Sequence, residues 1–138
     1  MTATLASAEA VCAQRGARLT RGRRALLEVL LAAAGPLTAY ELLDRLPGET
    51  PASVYRHLDF MLEHGLAHRL ETTRAYVACG HPDHPHAGQF LICRQCGTVV
   101  EVEDERVDAA TEQLGARAGF ALDQRTVELT GVCGTCQG

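Results

Sequence analysis

Two short stretches in the second half of the chain decide the fold: Cys93-Arg94-Gln95-Cys96-Gly97 and Cys133-Gly134-Thr135-Cys136. Each is a C-x-x-C pair in a Gly-containing turn, and such a turn can aim two sulfur atoms at one point. Two pairs together make a Cys₄ set, the ligand set of many closed structural zinc sites. The sequence between them has the pattern of a strand over 98–102, a helix over about 104–118 and a strand over 121–132. The spacing therefore predicts a small α/β domain whose two ends are joined by zinc.

Cysteine pairs at this spacing also occur as redox motifs and as disulfides. A thioredoxin-like redox motif lies where a strand leads into a helix, and neither pair lies at such a junction. A redox-switched protein, whose pairs oxidise to disulfides, stays open as an alternative.

The first half of the chain has the signals of helices followed by a hairpin. Thr38-Ala39-Tyr40-Glu41 is a capping box, and Thr50 precedes a proline at the first helical position. The predicted helices span residues 3–14, 20–31, 38–47 and 50–64, and the predicted hairpin strands span 67–71 and 74–79. The last three of these helices followed by a small hairpin are the order of a winged helix-turn-helix, although an ordinary helical subdomain gives the same pattern.

The last of these helices has the composition of a recognition helix. Its apolar positions Val54, Leu58, Met61 and Leu62 repeat at helical spacing and predict a buried face. The opposite side carries Ser53, Arg56 and His57, with Tyr55 beside them. Side chains of these types reach base edges and phosphates.

Charge is distributed unevenly along the chain, whose formal net charge is −4. Within ten residues of the first half there are five arginines and no acidic residue. They are Arg15, Arg18, Arg21, Arg23 and Arg24. A local basic patch can bind phosphate although the whole chain is acidic. A solvated helix face is the other interpretation of the same charges.

Length and composition predict one domain or two small ones in the 138 residues. A winged-helix domain is expected over 1–79, a hinge over 80–88 and a dimerisation domain over 89–138, which makes the fold class α+β. The sequence has no apolar run long enough to span a bilayer and no secretory signal. A cytoplasmic protein with reduced thiols is therefore expected.

A second group of potential ligands lies around the hinge. His81, His84 and His86 are in it, and Cys79 directly precedes it. With His68 and Glu101 they make a mixed nitrogen, sulfur and oxygen set suited to zinc. A metal bound there would join the two halves and could act as a sensor. A solvated loop, or a zinc hydrolase or deaminase with Glu101 as base, are the alternatives; no substrate-binding motif supports the enzyme.

These motifs together resemble the ferric uptake regulator family of metal-dependent repressors, and within it the zinc uptake regulator branch. The resemblance covers roughly residues 5–136. It is carried by three runs: Ala39-Tyr40-Glu41-Leu42-Leu43-Asp44, Val54-Tyr55-Arg56-x-Leu58-Asp59-Phe60 and Phe90-x-Ile92-Cys93-x-x-Cys96-Gly97.

The resemblance implies a cytoplasmic homodimer that binds operator DNA and represses zinc uptake genes when zinc is bound. It implies two zinc ions per protomer, a structural ion at Cys93, Cys96, Cys133 and Cys136, and a regulatory ion. The implied regulatory ligands are His68, Cys79, His86 and Glu101, with His84 as an alternative ligand. The implied DNA contacts are Tyr40, Tyr55 and Arg56, with Arg15 or Arg18 near the phosphates. Membrane and small-molecule partners are not expected.

Two departures from the iron-sensing members bear on the metal. Their histidines before the first cysteine pair are replaced by Gly88-Gln89-Phe90, and a histidine of the last strand is replaced by Arg125. Asp108 still matches an acidic ligand of that third site. The loss of these histidines argues against an iron- or peroxide-responsive regulator, which stays the alternative function.

Overall fold

The computed structural model describes residues 4–80, 82, 88–123 and 125–138. The chain divides into two compact units, Met1–Pro85 and His86–Gly138. The first contains α1 (Leu5–Gln14), α2 (Arg21–Ala32), β1 (Leu37–Thr38), α3 (Ala39–Asp44), α4 (Pro51–Glu63), β2 (Ala67–Leu70) and β3 (Ala75–Ala78). The second contains β4 (Gly88–Cys93), β5 (Val99–Val102), α5 (Glu105–Arg117) and β6 (Thr126–Gly131).

Three of the four described helices of the first unit begin at the predicted caps, which are Thr20, Thr38 and Thr50. The Thr38 hydroxyl accepts the Glu41 N–H at 3.2 Å, and the Glu41 carboxylate accepts the Thr38 N–H at 3.1 Å. Thr50 and Ser53 make the same reciprocal pair at the start of α4. Each box satisfies two N–H groups that have no partner within the helix, so it fixes where the helix starts. Among the described residues Thr20 differs, because it begins α2 without a side-chain hydrogen bond.

The core of the first unit lies between its helices and its sheet. The predicted stripe of α4 is buried at Val54, Leu58 and Met61, and it packs with Leu26 and Leu27 of α2. Leu62 is partly buried against the same cluster. The exposed side of α4 is consequently fixed by the burial of the other side.

The hairpin of the first unit pairs β2 with β3, with His68 opposite Val77. A two-residue strand, β1, pairs with the other edge of β3 and completes a three-stranded antiparallel sheet. The sequence did not predict β1, because two residues are too few for an alternating pattern. Helix α3 also ends at Asp44, before the predicted end near Pro47.

The second unit is a mixed sheet with one helix. Strand β4 lies in the centre, antiparallel to β5 and parallel to β6. The predicted last strand, 121–132, was too long, since β6 begins at Thr126. Leu122 lies against Gly115 of α5, and a Cβ added to Gly115 would be 2.5 Å from Leu122 Cδ1. This contact holds the start of the predicted strand to the helix instead of to the sheet.

Within the described residues, none of the helices is long and apolar enough to cross a membrane.

Candidate metal centre and DNA-binding face

The four paired cysteines come together at one edge of the second sheet. Cys93 is the last residue of β4, and Cys133 and Cys136 follow β6. Because β4 and β6 are parallel, their carboxyl ends lie at the same edge, with Cys93 opposite Gly131. Gly97 has φ +77°, a left-handed conformation that glycine adopts readily, and its N–H donates to the Cys93 carbonyl at 3.0 Å. This turn brings Cys96 back towards Cys93.

The distances between the sulfur atoms fit a tetrahedral metal ion. All four lie within 4.8 Å of one another, and Cys96 Sγ is 3.8 Å from Cys133 Sγ. A tetrahedron with zinc–sulfur bonds of about 2.3 Å requires sulfur atoms about 3.8 Å apart. The cluster therefore fits a Cys₄ zinc ion.

The surroundings of the sulfur atoms favour thiolates at two positions. The N–H groups of Cys96 and Cys133 point at Cys93 and lower its pKa to about 6; the Cys133 nitrogen is 3.3 Å from Cys93 Sγ. Hydrogen bonds from Thr98 lower the pKa of Cys96, whose sulfur is 3.0 Å from the Thr98 hydroxyl.

Cys136 shows the opposite effect. Its pKa is raised to about 12, first through its hydrogen bond to Cys133 and then through that to Cys96. A further negative sulfur beside these groups requires a cation to balance it. A divalent ion with thiolate ligands supplies that charge, which is the chemistry of zinc rather than of a hard cation.

The first unit contributes two of the predicted regulatory ligands. His68 lies on β2, and Cys79 directly follows β3, its N–H donating to the Leu66 carbonyl at 2.9 Å. Their ligand atoms lie within 4.8 Å of each other, and Cys79 is buried. The hairpin therefore offers one imidazole and one sulfur atom as potential ligands from neighbouring positions.

The other predicted regulatory ligands are distributed differently. Glu101 lies on β5 of the second unit, opposite Phe90, and is partly buried. His84 and His86 lie outside the described residues.

The predicted recognition residues have different environments. Tyr55 is 54% exposed and Arg56 is exposed on α4, and Tyr40 on α3 is 77% exposed. The Ser53 hydroxyl is engaged by the capping of α4, donating to Glu49 Oε2 and to the Thr50 carbonyl at 3.0 Å each. Tyr40, Tyr55 and Arg56 are therefore the members of this set whose side chains reach solvent most openly.

Several arginines of the basic run have partners inside the first unit. Arg15 donates to the His64 carbonyl, and Arg24 pairs with Glu9. Arg23 lies over the Phe60 ring at 3.7 Å from its centre. Arg18 is exposed, and its carbonyl accepts a hydrogen bond from Arg23 at 2.9 Å. The run is thus partly structural, which its charge pattern did not reveal.

Two residues that the sequence did not mark contact the His57 imidazole. Glu49 accepts a hydrogen bond from it at 2.7 Å, and Gly22 of α2 lies directly against the same ring. The contact between Gly22 and the ring depends on the packing of α2 on α4, so the sequence carried no signal for it.

Comparison with known proteins gives a consistent result over most of the chain. The profile of the ferric uptake regulator family matches residues 14–130. The zinc uptake regulation protein of Escherichia coli (strain K12) is 42% identical over 137 residues, which cover 96% of this chain and 80% of that protein.

Solved structures give the same picture. A zinc uptake regulator complexed with zinc and DNA has a TM-score of 0.87 at 42% identity, with 96% of this chain and 92% of that chain covered. The structure of holo XcZur has a TM-score of 0.88 at 39% identity, with 96% of each chain covered.

Proposed function

Because the chain belongs to the ferric uptake regulator family, we propose that it is a zinc-responsive transcriptional repressor that binds operator DNA as a homodimer and controls zinc uptake genes. The observation that carries this proposal is the similarity, over 96% of the chain, to a solved zinc uptake regulator complexed with zinc and DNA. Membership of a family of regulators also confirms the prediction that the chain is not an enzyme.

DNA recognition is assigned to the first unit. Helix α4 enters the major groove, where Tyr55 and Arg56 contact base edges, and Tyr40 of α3 lies beside it. The exposure of all three side chains supports this role. Arg15 and Arg18 are placed near the phosphates, and Ser53 acts by capping α4. A homodimer would place two such helices on half-sites about 34–36 Å apart, one helical turn of DNA.

Dimerisation is assigned to the second unit, whose sheet has an apolar row on one face. Leu91 of β4 lies opposite Val100 of β5 and Leu129 of β6, and all three side chains are exposed. Adjacent apolar side chains across three strands gain free energy when a second apolar surface covers them. The sheet of a second copy is the occupant proposed here.

Each protomer is proposed to bind two zinc ions. The structural ion is held by Cys93, Cys96, Cys133 and Cys136, supported by the sulfur geometry of that cluster. It contributes directly to the folding of the second unit, because such a site does not exist in the unfolded chain.

The regulatory ion is proposed to bind His68 and Cys79 of the hairpin, His86 of the hinge and Glu101 of β5, with His84 as the alternative ligand. A site whose ligands come from different parts of the chain is complete in one arrangement of those parts, so zinc selects that arrangement. To shift the populations of two arrangements from 1:99 to 99:1, zinc must bind the favoured arrangement about 10⁴-fold more tightly than the other. The loss of two ligands in the other arrangement can provide that difference in affinity.

An iron- or peroxide-responsive regulator is the alternative within the family, and the second unit argues against it. Arg125 Nη1 lies 2.9 Å from Asp108 Oδ1 and donates to the Asp108 carbonyl at 2.9 Å. The guanidinium thereby neutralises a carboxylate that matches a third-site ligand of iron-sensing relatives. The thiolate of Cys79 also favours zinc over iron.

The protein is proposed to act in the cytoplasm. The test of its function is the selection of sequences from a random DNA duplex library by the purified protein at defined concentrations of free metal. Buffered zinc is expected to give enrichment of one palindromic sequence with half-sites one turn apart. Fe(II) at matched occupancy is expected to give weaker enrichment. Enrichment with iron and not with zinc would overturn the assigned metal, and enrichment with neither would overturn the repressor.

A further inference from the structure

A close contact joins the start of α2 to α4 within the first unit. Gly22 is the second residue of α2, and a Cβ built on it would lie 2.6 Å from His57 Nε2 and 3.1 Å from Glu49 Oε1. Real Cβ atoms essentially never come within 3.0 Å of such a neighbour. The missing side chain at position 22 therefore lets the imidazole lie directly against the backbone of α2.

Glu49 holds the imidazole in that place. It lies one residue before the N-cap of α4, and its Oε1 is 2.7 Å from His57 Nε2, with 18% and 22% of the His57 and Glu49 side chains exposed. Its other oxygen accepts the Ser53 hydroxyl at 3.0 Å. The bond to His57, and then that to Ser53, lower the pKa of Glu49, so the acceptor is ionised at neutral pH. One carboxylate thus ties the turn before α4 to the first two turns of the helix.

We propose that Gly22, His57 and Glu49 form a bracket that sets the angle of α4 against α2, and that His57 is a positioning residue for sequence-specific recognition. The inference rests on the proposed DNA-binding function. Tyr55 and Arg56 directly precede His57 and are exposed, while the His57 ring faces α2. A rotation of α4 that frees the ring therefore moves both exposed side chains.

The bracket should affect discrimination between sequences more than affinity for DNA in general. Non-specific affinity comes from charge on phosphates and is insensitive to the angle of one helix. Base contacts depend on hydrogen-bond distance and direction, which a shift of a fraction of an ångström weakens. His57 acts on those contacts through the backbone of α4 and not by touching the bases.

The experiment compares wild type with His57→Leu, His57→Gln and the control Glu63→Gln, whose residue is exposed at the end of the same helix. The probes are the duplex selected by wild type under buffered zinc and an unrelated duplex of equal length. His57→Leu should weaken binding to the selected duplex about 5- to 100-fold, the effect of one poor base contact, and change the unrelated duplex by less than about twofold. His57→Gln, which can still donate to Glu49, should recover most of the loss.

Gly22→Ala provides a second and independent perturbation. In wild type the new methyl group displaces the ring and should reduce discrimination, but in a His57→Ala background the space is empty and the same change should have no effect. Equal loss of affinity for both duplexes in His57→Leu would overturn the positioning role, as would additive effects of the two substitutions.

Hydrogen exchange of the amides of residues 49–57 separates this inference from the proposed function, because it needs no DNA. Exchange there should be faster in His57→Leu and unchanged in Glu63→Gln. Unchanged exchange in His57→Leu would refute the bracket even if the protein binds DNA specifically. If wild type shows no sequence preference, both the recognition role of His57 and the proposed repressor function are refuted, while exchange still tests the bracket itself.

Discussion

Replacing Cys93 by serine is expected to unfold the second unit and to leave the first unit folded. Cys93 ends β4, and its sulfur accepts the Cys133 N–H at 3.3 Å, so it connects the two cysteine pairs. Serine supplies no thiolate, and three remaining thiolates do not close a structural tetrahedron.

The size of the expected loss of stability follows from how few large apolar side chains the second unit buries. Among its described residues, the large buried apolar side chains are Phe90 and Ile92. Burying two such side chains contributes about 3–6 kcal/mol, whereas a structural zinc ion contributes on the order of 10–16 kcal/mol in small zinc domains. The metal therefore outweighs this apolar core, and its contribution is as large as the whole ordinary stability of a domain, roughly 5–15 kcal/mol.

The assay combines zinc content, circular dichroism during heating and sedimentation velocity. Cys93→Ser should lose the structural zinc, sediment as a monomer and keep a thermal transition from the helices of the first unit. Cys12→Ala is the matched control, because this buried cysteine of α1 lies in the other unit and should leave zinc and assembly unchanged. A Cys93→Ser protein that lacks the zinc and is still a folded dimer would refute the reasoning.

Three further substitutions test separate parts of the molecule. Arg56→Ala should cost about 1–3 kcal/mol on the selected duplex and relax preference at one base position; equal weakening on all duplexes would make Arg56 a phosphate contact. Thr50→Ala removes the hydroxyl that accepts the Ser53 N–H at 3.2 Å and should lower the free energy of unfolding of the first unit by about 1 kcal/mol in urea titration. An unchanged midpoint would contradict that role of the cap. Leu91→Asp places a charge in the exposed apolar row and should give a zinc-loaded monomer, whereas a dimer of normal mass would exclude the proposed interface.

Local chemistry explains what the sequence predicted well. The box at Thr38 and the cap with its following proline at Thr50 are signals within four residues, and both helices begin where those residues indicate. The cluster of four cysteines was predictable for a related reason, since each pair forms its own turn and parallel pairing of β4 and β6 brings the turns together.

Features that depend on distant packing were not predictable. The contact of Arg15 with the His64 carbonyl spans 49 positions, and no local pattern marks it. Strand β6 was predicted too long because the apolar Leu122 fits the pattern of a strand, whereas its side chain packs on Gly115. The same limit applies to Gly22, whose importance lies in what it leaves out beside His57.

The most direct test of the central claim is the number of zinc ions per protomer, measured together with DNA binding titrated against free zinc, for wild type and Cys79→Ser. Wild type should hold two zinc ions and gain sequence-specific binding as zinc rises. Cys79→Ser should keep its fold and one zinc ion, and should lose the zinc-dependent gain. If both proteins hold the same number of zinc ions and bind the selected duplex alike, the hairpin thiolate is not part of a sensor, and the proposed mechanism of zinc regulation is wrong.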